Sequence, residues 1–232
     1  MDVNNRDKKE RELARRLSRI FGDHFEEVMD LLGDPPNFTN LTPDYWERYS
    51  NDVRTALSVP INEIFYEQFE AQLEEFGLSI GDSTGSVEAL NFVQRYMFDL
   101  VGGITDTTRN ALQQEILSYI QNGDMTIEDL AKRLYRYYGP NRAEMIAITE
   151  TTRAASEGEN ATMREVEKLT GNQYEPIWQT AADERVCDYC NPRNGKVVRK
   201  DDAPPAHPRC RCWRNHRKVG EGDEEYFDYG ES

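Results

Sequence analysis

Residues 183–213 read DERVCDYCNPRNGKVVRKDDAPPAHPRCRCW and hold all four cysteines of the 232-residue chain. The thiols fall as Cys187-x2-Cys190, a gap of 19 residues, and Cys210-x-Cys212, with His207 three positions before Cys210. A two-residue gap lets a tight turn aim both sulfurs at one ion, and alternate residues of an extended segment point to one side. Two such pairs supply four soft donors, the set a tetrahedral structural zinc (Zn2+) site needs. Five candidate ligands compete for four places. The four thiolates Cys187, Cys190, Cys210 and Cys212 are the expected set, with His207 behind them or replacing Cys212.

Other uses of four thiols fit less well. Disulfides suit a secreted chain, but the start MDVNNRDKKERE lacks the apolar region of a signal peptide, so a reducing site of synthesis is expected. Buried free thiols would not be crowded by Asp, Arg, Lys and Pro. An iron–sulfur cluster also takes four thiolates and stays open as an alternative. A catalytic zinc needs a vacant coordination position and a nearby base. Asp183, Glu184 and Asp188 are close in sequence, but four cysteines close the shell. The expected role is mechanical: about thirty residues with few large apolar side chains cannot fold alone, and metal binding in such modules supplies on the order of 10 kcal/mol.

Outward from this stretch, charge is uneven. The chain carries a net −15, which argues against general coating of nucleic acid. Residues 185–218 nevertheless hold ten Lys or Arg against three Asp, and residues 221–232 hold six acids and no base. Lys196, Arg199, Lys200, Arg209, Arg211, Arg214 and Arg217 are therefore candidate phosphate contacts, sequence-independent and salt-sensitive. The alternative is a solvated surface beside a self-screening tail. With 38% apolar and 31% charged residues and no long apolar run, no transmembrane helix is expected.

Upstream, the pattern is helical. Leu13, Leu17, Ile20, Phe21, Val28 and Leu31 predict a helix over 7–32, stopped by Gly33-Asp34-Pro35-Pro36. Thr42-Pro43 opens a helix to about Phe76, with Pro60 a candidate kink and Ile61, Phe65, Phe69, Leu73 and Phe76 as its stripe. Residues 77–85 read as a hinge. A helix over 86–101 is expected to end at Gly102-Gly103, another over 105–121 at Gly123. Thr126 and Asp129 resemble a capping box, and Asn141 with Glu144 a second start for a helix to about Leu169. Residues 174–181 read as a strand, Asn194-Gly195 as the turn of a small hairpin, and 210–216 as a last extended segment. His24 reads as an ordinary surface residue, and His216 has no assigned partner. No GxxxxGK[ST], GxGxxG, HExxH or GxSxG occurs. An HNH-type nuclease would need a histidine pair and an asparagine around a divalent ion, a set not found here.

Several stretches together carry a resemblance. They are Gly103-Ile-Thr-Asp-Thr-Thr-Arg109, Thr126-Ile-Glu-Asp-Leu-Ala131, Arg142-Ala-Glu-Met-Ile-Ala-Ile-Thr-Glu-Thr151, Trp178-Gln-Thr-Ala-Ala-Asp183 running on to Cys190, and Pro204-Pro-Ala-His207-Pro-Arg-Cys210-Arg-Cys212. Over roughly residues 86–216 the chain resembles the minor head, or head morphogenesis, proteins of tailed bacteriophages of the Mu F type. The resemblance implies a structural protein present in few copies inside the phage head, associated with the portal and acting in head assembly or DNA delivery, with no established enzymatic activity. Many members read Arg-Thr-Glu where this chain has Ile148-Thr149-Glu150, so any role of that arginine is not carried over.

The expected fold is α+β, predominantly helical with a small C-terminal β-containing zinc module. Its expected parts are an N-terminal helical arm (1–40), a helical domain (41–172), the zinc-binding module (173–218) and an acidic tail (219–232). The expected protein is a non-enzymatic virion component whose partners are the portal protein, other head proteins and, non-specifically, packaged DNA, with no membrane. The acidic segment 61–101, with eight acids and one base, would be a docking surface. The rival readings are a zinc-containing DNA-binding or regulatory module and, further off, a metal-dependent hydrolase. The first is weakened by the absence of a base-reading helix after the second cysteine pair.

Overall fold

The computed structural model describes residues 3–79, 86–122, 124–181, 185–222 and 225–230. Its elements are α1 (Val3–Leu32), α2 (Pro43–Glu75), α3 (Ser86–Gln121), α4 (Ile127–Tyr138), α5 (Pro140–Thr170), β1 (Tyr174–Gln179) and β2 (Trp213–Lys218). The two strands pair antiparallel from Tyr174 opposite Lys218 to Gln179 opposite Trp213. The architecture is thus mostly helical with one small sheet, an α+β arrangement. No described helix is long and apolar enough to cross a membrane.

Two compact units divide the chain. One comprises residues 1–6, 61–90 and 148–232, the other 7–60 and 91–147. Each boundary falls inside a helix.

The second of these units is built on the α1 stripe. Leu13, Leu17, Phe21, Val28 and Leu32 are buried. Their spacing of three and four residues passes through His24, which is buried too, edge-on to Tyr45 and Tyr49, with Nε2 3.0 Å from Asp52 Oδ2. His24 is therefore a core residue, and the expectation of a surface histidine is corrected. Tyr49 and Thr108 share a hydroxyl hydrogen bond of 3.1 Å. Arg142 donates to Thr108 Oγ1 (2.8 Å), to Ile104 O (3.2 Å) and to Tyr137 O (2.6 Å). The last is among the carbonyls that the end of α4 leaves without a helical partner. The Ile104–Thr108 stretch and Arg142, two pieces of the sequence resemblance, are one buried hydrogen-bonded set.

The two expected helices over 86–121 are one. α3 runs through Gly102 and Gly103. A glycine in a helix interior costs about 1 kcal/mol against alanine. The packing of the buried Val101, Ile104, Thr105 and Thr108 around it offsets that cost. The end expected at Gly123 and residues 80–85 of the expected hinge lie outside the described residues. Before them, Gly77 closes α2 at φ 69°, with Leu78 N bonded to Leu73 O (2.9 Å) and Gly77 N to Glu74 O (2.9 Å). This is a Schellman ending. The capping box at Thr126 and Asp129 is formed. α5 starts earlier than its Asn141/Glu144 signal, at Pro140, the first-turn position proline favours.

In the other unit, α2 presents Ile61, Ile64, Phe65, Phe69 and Leu73 to the core. Gly158 of α5 meets α2 so closely that a Cβ there would stand 2.5 Å from Phe65 O. Thr162 Oγ1 donates to Phe69 O beside it at 3.1 Å. The sheet follows α5 after Gly171, at φ 70°.

Candidate metal centre

A chain of backbone hydrogen bonds shapes the cysteine-bearing loops. Cys190 N and Asn191 N both donate to Cys187 O, at 3.1 and 2.9 Å, so the first pair sits on a tight turn that runs into a 3-10 turn at Asn191–Arg193. Gly195, at φ 75°, returns the chain to β1: Gly195 N donates to Trp178 O, and Trp178 N donates to Lys196 O. Val197 bridges to Ile177 of β1. The Asn194-Gly195 turn therefore does not close a hairpin with the residues before it, which are taken up by the 3-10 turn. Instead it lays 196–198 against β1.

The second pair is held from α5 and α1. Arg209 N donates to Thr149 Oγ1 (3.0 Å) with Arg209 at φ 64°, and Thr152 Oγ1 donates to Cys210 O (2.6 Å). Arg6 bonds Arg211 O (3.0 Å) and Thr152 Oγ1 (2.5 Å). The backbone around Cys210 is thus fixed by three side chains remote from it in sequence. Thr149 and Thr152 lie three apart on one helix face. That spacing is a signal in the sequence, but Arg6 offers none.

These loops bring the donors together. His207 Nε2 stands 3.0 Å from Cys187 Sγ and 3.4 Å from Cys190 Sγ, and Cys190 Sγ is 4.0 Å from Cys210 Sγ. Cys187, Cys190 and His207 form one group of mutually close donors, and Cys190, Cys210 and Cys212 another, sharing Cys190. No cysteine is in a disulfide. His207 Nδ1 lies 2.8 Å from Pro208 O. That bond places the proton on Nδ1 and leaves the Nε2 lone pair facing the sulfurs, the tautomer of a metal-ligating histidine.

The electrostatics describe a cluster short of positive charge. Burial raises the Cys187 thiol, but N–H donors from Cys190 and Tyr189 hold it below the ordinary thiol range. Cys190 is pushed up by its hydrogen bonds with Cys210 and Cys212, while Cys210 is pulled down by its bonds with Cys190 and Cys212. Neighbouring sulfurs this close repel one another as thiolates, and a divalent cation would offset that repulsion. The hollow lined by Cys187, Cys190, His207, Cys210 and Cys212 is about 20 Å³. A single water or ion fills such a space. Beneath it lies an apolar floor of Trp178 and Val198. The donor set, the tautomer and the size of the hollow fit a metal ion. Of the carboxylates weighed for chemistry here, Asp183 and Glu184 lie outside the described residues.

The basic residues fare unequally. Arg199, Lys200 and Arg209 are exposed, and Lys196, Arg211 and Arg217 are half-buried. Arg214 is buried, 2% exposed, and spends its guanidinium on Glu159 Oε1 (3.1 Å), Lys200 O (3.1 Å), Asp202 O (3.4 Å) and Asn160 Oδ1. It holds the sheet to α5 and is not accessible to a phosphate. His216 stands behind it with Nε2 3.4 Å from Glu159 Oε1, so it does have a partner. Sequence reasoning assigned neither Glu159 nor His216 to this set.

Residues 110–214 match the family described as phage Mu protein F like protein. The matched stretch is a little under half of the chain and contains all five candidate ligands, Arg142, Thr149, Thr152 and the Glu159–Arg214 pair. No curated protein and no solved structure matches the chain.

Proposed function

We propose that this chain, which over residues 110–214 carries the phage Mu F-like module of the head morphogenesis family, is a minor structural protein of the phage head that associates with the portal and acts in head assembly or DNA delivery. The family match carries the reading. The Cys/His cluster supports a structural part for the metal: four cysteines and a histidine are enough to close a tetrahedral shell, and the hollow of about 20 Å³ between them has room for an ion. A structural zinc is the proposed occupant, held by Cys187, Cys190 and Cys210 with Cys212 or His207 as the fourth donor. His207 is the better candidate for that place, since its Nε2 faces Cys187 and Cys190 at 3.0 and 3.4 Å. The ion would supply cross-linking of two loops that have little apolar surface of their own. Packaged DNA is a proposed non-specific contact of the exposed cations Arg199, Lys200 and Arg209, with Lys196, Arg211 and Arg217 at the margin.

Co-expression with the portal protein of the same phage and co-purification under moderate salt tests the partner. Retention of the chain on tagged portal, and its presence in purified heads, is the expected result. A chain that stays behind in the assembled-head supernatant and ignores the portal overturns it. Elemental analysis tests the metal: one zinc per chain is expected. Cys190→Ser should lose it, and Cys212→Ser should keep it if His207 is the fourth ligand.

A further inference from the structure

The segment expected as an acidic tail is not free of the module. Residues 225–227 run beside Val197: Val197 N donates to Glu225 O and Phe227 N to Val197 O, both at 2.8 Å, forming a parallel bridge between Val197 and Tyr226. Val197 is already bridged to Ile177, so the segment adds a rung to the sheet. Its side chains then settle on cations. Arg193 lies 3.7 Å from the Tyr189 ring centre and 4.1 Å from that of Phe227, which also packs on the cluster of Trp178 and the cysteines. Arg199 lies 4.1 Å over Tyr229, whose hydroxyl accepts from Arg199 N (3.1 Å) and donates to Asp202 (2.6 Å). Lys196 Nζ is 3.6 Å from Glu225, and Arg217 lies 6.0 Å over Tyr226.

Lys196, Arg199 and Arg217 are three of the candidate phosphate contacts. An acidic, aromatic peptide offers them what a nucleic acid offers: anionic groups and flat rings for cations to stack on. We propose that residues 225–230 are an internal mimic of nucleic acid, a strap seated on the basic face of the metal module that must leave before that face can take phosphates. The inference rests on the proposed DNA contact. Through it, binding is weak while the strap is seated and strengthens when a partner lifts it. Each cation set free steepens the salt dependence by about 0.9 in log–log slope.

The test measures binding of the zinc-loaded full chain to a 30-base-pair duplex over a salt series. Tyr226→Ala/Tyr229→Ala removes the rings that lie over Arg217 and Arg199, loosening the strap while keeping every charge, and leaves Phe227 on the core so that folding is not at stake; zinc content and the far-ultraviolet spectrum check this. A second variant, Glu221→Gln/Glu225→Gln/Asp228→Asn, neutralises charge and keeps the rings. The expected result is about tenfold tighter binding by the double tyrosine variant, with a slope steeper by roughly 1, since Arg199 is uncovered while Arg217 stays paired with Glu175 at 2.7 Å. A synthetic peptide of residues 221–232 should reverse the gain when added to that variant. Equal binding by wild type and the tyrosine variant overturns the strap and leaves the DNA contact standing. Tighter binding by the charge variant alone also overturns it, since long-range repulsion then suffices. If none of the three binds at low salt, the DNA contact itself is lost and the strap with it.

Discussion

Glu159, Arg214 and His216 form the most heavily buried polar group near the metal loops, with side-chain exposures of 4%, 1% and 7%. Burial pushes the Glu159 carboxyl up to about 7, against the pull of Arg214. Burial, with Arg214 and Lys200 nearby, pushes His216 down to about 3. An acid whose folded value lies above its unfolded one adds stability that is complete below the unfolded value, 4.5 for Glu, and lost as pH rises through about 7. The histidine works the other way: held neutral in the fold, it takes stability away as pH falls below 6.5. Arg214→Met removes the guanidinium that acts on both. It is expected to cost about 3–5 kcal/mol at pH 8, where Glu159 is left charged and unpaired. The cost should shrink at pH 5.5, because Glu159 can then protonate and His216 no longer has the guanidinium beside it. Denaturant titrations of both proteins at the two pH values, with metal present, measure this; a loss that grows toward acid pH would contradict the assignment. These residues were barely legible beforehand. Arg214 sits in a run of cations, and nothing in the order Arg-Cys-Trp-Arg-Asn-His says which cation turns inward to a glutamate 55 positions away.

At the scale of elements, periodicity was a better guide. The α2 stripe Ile61, Phe65, Phe69 and Leu73 and the capping box at Thr126 are where local rules put them, because apolar spacing and hydroxyl caps act within one turn of helix. Gly102-Gly103 misled because glycine weakens a helix without forbidding it, and packing from remote residues decided the matter. Gly158 makes the opposite point. In a helix interior, alanine is the better residue by about 1 kcal/mol, so propensity alone expects Gly158→Ala to stabilise the protein. A methyl there would meet Phe65 O at 2.5 Å, and Gln68 Cβ and Phe69 N at 3.2 and 3.3 Å. A backbone carbonyl cannot swing aside, so α2 must move from α5 and stretch the Thr162 bond to Phe69 O. The expected outcome is a net loss of roughly 1–3 kcal/mol by urea unfolding. A variant more stable than wild type would show that the two helices are not in such close contact.

For the whole molecule, the four cysteines announced the donor cluster because thiol spacing is a local code. The rest of the centre's support is spread over Arg6, Thr149, Thr152 and the sheet, which no short pattern links. All of that support, the donors and residues 225–230 belong to one compact unit, whereas His24, the tyrosine cluster and Arg142 belong to the other. The ion is therefore expected to stabilise the two unequally. Chelation should expose amides whose bonds depend on the loops, such as Trp178 N to Lys196 O, Cys190 N to Cys187 O and Val198 N to Pro176 O. Amides of α3 from Ile104 to Ile116 should stay protected, since their core is built from Leu13, Leu17, Phe21, Tyr49 and Leu112 and contains no ligand. Hydrogen exchange read by mass spectrometry, with and without a chelator, separates the two sets. Release confined to residues 174–218 and the strap agrees with a metal that staples loops onto an otherwise folded chain. Release of α3 to the same extent would mean that the ion holds up the whole protein, and unchanged protection throughout would mean that it holds up nothing.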